Sequence, residues 1–426
     1  GAKTLLLTGV NTSSNEISGI ISDNSGANPT SLTKNLQGVW KLSGANTYSG
    51  KTIITRGTLS VSSLNKVAGG QPSSSLGAPT TVANGTINLG GSTTASALIY
   101  TGAGETTDRV INLTSTTGGD TIQNDGTGPL VLTSDFTATG AGAKTLTLSG
   151  SNTNDNRING KIVNSTLATA VTKAGAGTWT LAGANTFTGN LSLSAGRLNI
   201  ASAAAMGLAT NVISGNGSFD NVSGADLTVT NALTLSGGSP TYIGSSNNMT
   251  YTGPVTISGA TRTITVSSNT LTLNSGIDDA AGNRAFTKAG AGTLRLLGAN
   301  TYTGNTTVSA GKLIVGASGS FGTTNGFTIS ASGTLDVSAI PSFTVPGIGT
   351  FTATGSNTVE GVSAAIIKGG TTVDLGTRPI SLTFKPTAFT GDTGHPSLIV
   401  SQGTLSLGGN AFTVNNASGT ALDAGT

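Results

Sequence analysis

An all-β solenoid with little or no α-helix is the fold class this sequence predicts, and three observations carry it. One phrase occurs three times with no gap in its alignment: TKNLQGVWKLSGANTYSGKTIITRGTL from Thr33, TKAGAGTWTLAGANTFTGNLSLSAGRL from Thr172 and TKAGAGTLRLLGANTYTGNTTVSAGKL from Thr287. A fixed internal spacing means a fixed structural unit. Within the phrase, apolar residues alternate with Ser and Thr, the period of a strand. Charged residues make up only 9% of the chain, far below the usual quarter. Solvation therefore falls to Ser, Thr and Asn, whose hydroxyls and amides can hydrogen-bond along a stack where repeated like charges would repel.

The elements follow in chain order. GAKTLLLTGVNTSSNEISGIISDNSG from Gly1 precedes the first phrase, in which Trp40 and Leu42, then Ile54, then Leu59 and Val61 alternate with polar residues. Strands of three to five residues are expected, broken at GANTYSG and at Gly57. ANGTINLGG near Ala83 closes this super-repeat, assigned to residues 1–141. The opening returns as GAKTLTLSGSNTNDNRINGKIVNS from Gly142, followed by the second phrase with Trp179/Leu181, Leu191/Leu193 and Leu198/Ile200, and by GNGSFDNVSG near Gly215 (residues 142–258). A weaker echo, SNTLTLNSGIDDAAG from Ser268, leads into the third phrase, and ASGTLDVSA near Ala331 ends it (residues 259–339). Residues 340–426 are richer in Pro and Phe and are expected to be a solenoid continuation, a cap or a subunit-joining region, because an open terminal coil is an unpaired sheet edge.

Strands this short cannot bury a face alone, but stacked coils of roughly 20 to 25 residues form a continuous narrow core. The chain would supply on the order of eighteen coils and a rod roughly 90 Å long at strand spacing. Glycine is 64 of 426 residues, yet no Gly-X-Y period exists and alternating apolar residues persist, which excludes collagen and simple disorder. Cysteine is absent, so disulfides contribute nothing, and this suits a protein that stays unfolded during export. No signal peptide, membrane helix or lipidation motif is visible. Starting at Gly1 within a super-repeat, the chain reads as a segment of something longer or a processed product. The net charge of +3 is spread thinly, with none of the clustered Lys and Arg a nucleic-acid surface needs.

The phrase GAGTLxLxGANTYTGxTxVxAGxL resembles the autotransporter-associated β-strand repeat of bacterial surface proteins. The resemblance covers three blocks of twenty-seven residues strongly and the intervening chain by general character. It implies a right-handed parallel β-helix, a location outside the cell or on the surface of a Gram-negative-type bacterium, and a mechanical, adhesive or display role. The membrane β-barrel that ends such proteins has no counterpart in the strand pattern here.

Function is thus expected to be that of a secreted stalk, fibre or adhesin segment, self-associating end to end or laterally and touching a surface or extracellular glycan or protein. The alternative is a carbohydrate-active β-helix enzyme, a lyase or glycosidase, which needs converging carboxylates. Asp278 and Asp279, with Arg284 close by, could converge on a turn, but GIDDAAGN also reads as a solvated turn. Asp374 and Arg378 read as a surface ion pair. His395, the only histidine, lies between Asp392 and Ser397, too close in sequence for triad geometry. Asp120, Asn124 and Asp125 faintly resemble a calcium turn that normally works only in successive copies, and one histidine without cysteine makes zinc untenable. The GAGAG strings lack the Lys-Ser/Thr ending and the helix of a phosphate loop. Asn46, Asn185 and Asn300 are read as inward amide ladders or left-handed turn residues, and Tyr48, Phe187 and Tyr302 as covers of the solenoid corner rather than binding aromatics. No catalytic, metal or cofactor residue is assigned.

Overall fold

In the computed structural model, the described residues are 1–418 apart from 92, 209, 214, 281, 324–325, 359–360 and 386–394. They fall into two compact units, Gly1–Val212 and Ile213–Thr426. Regular helix among them amounts to the four residues Val82–Gly85 and a 3-10 turn at Ala203–Met206. Nearly every strand pairing is parallel, and the two units are β-helices.

The Gly1–Val212 unit has three ladders. The first stacks Lys3–Leu7, Thr30–Lys34, Thr52–Ile54, Ile87–Leu89 and Ile111–Leu113. The second runs from Ser14–Ile17 through Val39–Leu42, Gly57–Val61, Ser96–Tyr100, Gly119–Asn124, Lys144–Gly150 and Thr169–Lys173 to Leu191–Leu193. Glu105–Thr107, Leu130–Leu132, Asn156–Ile158, Thr178–Leu181 and Arg197–Ile200 form the third. Alternation decides which residues go inward. In Thr30–Lys34 and Gly57–Val61, Leu32, Leu59 and Val61 have no exposed surface while their neighbours are partly wet. Each buried leucine removes enough apolar area from water to contribute about 1.5–3 kcal/mol.

A phase change separates the first two phrases. The strand carrying Lys34 lies in the first ladder and the Trp40 strand in the second. In the second phrase, the Lys173 strand lies in the second ladder and the Trp179 strand in the third. Equivalent residues of the two copies therefore occupy successive faces of the same solenoid.

The Ile213–Thr426 unit is built the same way, with Arg262–Val266 on Phe286–Ala289 and Thr270–Leu273 on Thr293–Leu296, both leading into Thr306–Val315. Its core is more aromatic: Phe219 packs against Tyr242 and Tyr251, and Phe327 stacks on Phe351 at 6.3 Å. The stretch beyond residue 340 adds further parallel coils, Phe351–Thr354 on Ile380–Phe384 on Phe412–Asn416, and Ala365–Asp374 on Leu398–Ser406.

Two sequence expectations need correction. Strands range from two to ten residues, not three to five, and the longest pass through a glycine. Gly311, at φ +64°, bends Thr306–Val315 from one face to the next while pairing to Phe327–Asp336 resumes beyond it. Coils also vary more widely than 20–25 residues. Val171 pairs with Leu191 twenty residues on, but Ile54 pairs with Leu89 thirty-five on, across an inserted loop.

Candidate functional site

The repeated positions build a corner that is the same in all three copies. Lys34 and Lys173 end their strands, Lys288 stands one residue before the end of its own, and all three are fully buried. No carboxylate meets them. Lys34 Nζ donates to the carbonyls of Asn35, Leu36 and Arg56 at 3.0, 2.6 and 3.0 Å. Lys173 donates to Ala174, Gly175 and Ala195, and Lys288 to Ala289, Gly290 and Ala310. A turning chain leaves carbonyls without ladder partners, and three ammonium hydrogens take three of them, two in one coil and one in the next. Burial pushes each ammonium down to about 8, so at neutral pH it is still mainly charged.

The asparagines clip three coils together. Asn46 Oδ1 accepts from Ile21 N at 2.8 Å in the preceding coil, and its Nδ2 donates to Ser75 O at 2.7 Å in the following one. Asn185 does the same between Ile162 N and Ala205 O, and Asn300 between Ile277 N and Ser320 O. None of the three has a positive φ, so the left-handed reading does not hold, and the inward amides bond backbone groups of neighbouring coils, not one another. Tyr48, Phe187 and Tyr302 are wholly buried, and the tyrosine hydroxyls meet Thr52 and Thr306. These rings are core, and no ligand reaches them.

The enzymatic candidates disperse. Asp279 is buried and accepts from Arg284 N and Thr303 N, the role Asp23 plays toward Thr30 N and Ser49 N, and Asn164 toward Thr169 N and Thr188 N. Asp278 caps its own turn through Ala280 N and is exposed. Arg284 turns to the carbonyls of Asp279 and Gly259. Arg378 is buried on the carbonyls of Leu375, Val345, Pro346 and Gly347, while Asp374 caps Gly376 N, so the expected surface ion pair is replaced by two backbone caps. His395 is half-buried; Asp392 lies outside the described residues.

Asp120 and Asp125 point apart. Asp120 is inside, held by Ser96 Oγ at 2.9 Å and Ser115 Oγ at 2.7 Å, and burial raises its carboxyl to about 6. Asp125, exposed, holds Ser151 N in the next coil. Asn124 donates to Gly128 O and to the Asn156 side chain. Among the described residues no group of three or more His, Cys, Asp or Glu could hold a metal ion.

Two features escaped the sequence reading. The inserted loop is clamped by three neighbouring residues: Glu105 accepts from Leu64 N and Asn65 N, Asp108 from Val67 N and Ala68 N, and fully buried Arg109 donates to the carbonyls of Leu64, Leu76 and Gly85. Burial brings the Arg109 guanidinium down to about 10. The second is a groove of about 370 Å³ over Arg56, walled by Gln37, Thr58, Thr94, Ser96 and Thr121. Arg56 Nε is buried and has no hydrogen-bond partner.

The chain matches the passenger-associated-transport-repeat family at residues 32–61, 171–200 and 286–315, the three corners just described. It is also similar to the adhesin BmaC autotransporter of Brucella suis biovar 1 (strain 1330), 32% identical over 330 residues, covering 71% of this chain and 9% of that protein. No solved structure matches it. Among the described residues no helix is long and apolar enough to cross a membrane. The repeats and this relative locate the chain outside the Gram-negative cell or on its surface.

Proposed function

We propose that this chain, which carries three passenger-associated-transport repeats, is a non-catalytic stretch of a surface adhesin that serves as stalk and display scaffold. One observation carries the reading: the polar side chains repeated through the corners are consumed by backbone groups of their own and adjacent coils, and of the two acids that suggested hydrolysis Asp279 does the same while Asp278 caps its own turn. Such a design makes a stiff support and leaves chemistry to other surfaces. The adhesin relative supports an attachment role, although this chain spans 9% of it.

Self-association, end to end or lateral, belongs to the same proposal. The test is attachment: beads coated with the purified chain should adhere to cultured host cells well above albumin-coated beads, and sedimentation should show species larger than monomer as concentration rises. Adhesion no better than albumin would sink the attachment role, and strictly monomeric behaviour would sink self-association.

A further inference from the structure

The groove over Arg56 has the makings of a ligand site, and we propose that it binds an anionic saccharide through the Arg56 guanidinium. The corner does not need this side chain. What Arg56 contributes there is its carbonyl, which accepts from Lys34, and at the equivalent positions Ala195 and Ala310 supply the same carbonyl with no charge. The fully buried cations of the chain spend themselves on backbone oxygens: Lys34, Lys173, Lys288 and Arg109 each take three carbonyls or more than one coil. Arg197, in the second copy, is held by Asn199 Oδ1. Arg56 instead leaves Nε buried and unpartnered. Such an orphan is costly unless something satisfies it.

The surroundings specify what that something is. No carboxylate lines the groove. Asp120, beneath Ser96, is turned into the core and held by two hydroxyls. The Lys34 ammonium lies under the Arg56 carbonyl and adds positive potential. The floor runs across coils in strict register, Thr58 to Ala97 to Thr121. Thr58 and Thr121 are therefore two strand spacings apart, roughly 10 Å, the length of a disaccharide. Hydroxyls, the Gln37 amide and one forked cation, set beside the small apolar surfaces of Ala95 and Ala97 on which a sugar ring can rest, suit a hydroxyl-rich ring carrying a carboxylate or sulfate, which arginine grips in a bidentate fashion.

The experiment uses the purified chain, hyaluronan tetrasaccharide as an anionic probe, chitotetraose as its neutral counterpart and sodium sulfate as the bare anion, with binding read by saturation-transfer NMR and calorimetry. Hyaluronan tetrasaccharide should bind, chitotetraose should bind at least tenfold more weakly, and Arg56→Ala should weaken the tetrasaccharide at least tenfold while leaving the melting temperature unchanged, since the other copies carry alanine there. Equal binding of the neutral probe, an unaffected Arg56→Ala variant or no binding at all overturns the proposal. Sulfate competing as tightly as the tetrasaccharide would reduce the groove to a simple anion site and overturn the saccharide assignment. These readouts do not depend on adhesion, so failure here and failure of the adhesin reading are separate outcomes.

Discussion

Asp120 shows how a buried polar residue in this fold makes itself measurable. Burial pushes its carboxyl up from the ordinary 3.8 to about 6, outweighing the two serine hydroxyls that favour the charged form. Between those values the folded chain binds more protons than the unfolded one, so this contribution to stability is complete below about pH 4 and is lost as pH rises through 6. Asp23 and Asp279, whose carboxyls are held down by hydrogen bonds against the opposing effect of burial, act with the opposite sign, so the readout is the difference between variant and parent. Asp120→Asn should abolish a component of up to about 3 kcal/mol between pH 4 and 7, measured by urea unfolding at both pH values; parallel pH profiles for the two proteins would refute it. Much of this residue-scale chemistry was readable. Leu32 and Lys34 share strand parity, so the same alternation that sends the leucine inward sends the lysine inward too. Nothing in the sequence names its acceptors, because Arg56 O belongs to the next coil and its nearness depends on coil length. Asp279 misled for a related reason: a carboxylate that clasps a backbone amide 24 residues away has the same local sequence as one in a site.

At the level of the corner, glycine is demanded twice over. Gly196 sits at φ +67°, and a Cβ there would come within 2.3 Å of Gly175 O and 2.6 Å of Gly177 O. Gly196→Ala should therefore cost at least about 2 kcal/mol. The first copy departs from the pattern where Leu36 takes φ +60°, the conformation Gly175 and Gly290 hold at +65° and +77°. A branched side chain in that region carries about 1–2 kcal/mol of strain, and Leu36 is 38% exposed, so it gains little burial in return. Leu36→Gly should raise stability by about 1 kcal/mol; equal or lower thermal stability than the parent would contradict this. Short alternating strands and glycine corners were legible in the sequence because each follows from local sterics. The ten-residue strands and the thirty-five-residue coil were not, since whether a glycine bends a strand or ends it is settled by the neighbouring coil's pairing.

Among the described residues, ion pairing contributes little to cohesion. The pairs Lys41–Glu16 and Arg157–Asp155 are partly exposed and worth little, Lys368–Asp336 joins a half-exposed lysine to a nearly buried carboxylate at 3.8 Å, and the buried lysines of the corners bind neutral carbonyls. Unfolding midpoints in urea should accordingly move by less than about 1 kcal/mol equivalent between 20 mM and 1 M sodium chloride; a larger loss with salt would mean that exposed pairs matter more than their geometry implies. Class and cell-surface destination were carried by the repeats; the Arg56 groove was not, because it is walled by coils that the inserted loop separates in sequence. The one-face phase change between the first two phrases also bears on inheritance. A recombination between these two aligned corners would excise whole coils and rejoin the chain at matching lysine, asparagine and glycine positions. The ladders would close again, but every downstream side chain in the Gly1–Val212 unit would point from the neighbouring face. A lineage could thus re-aim its displayed surface in one genetic step, without a single substitution and without losing the fold.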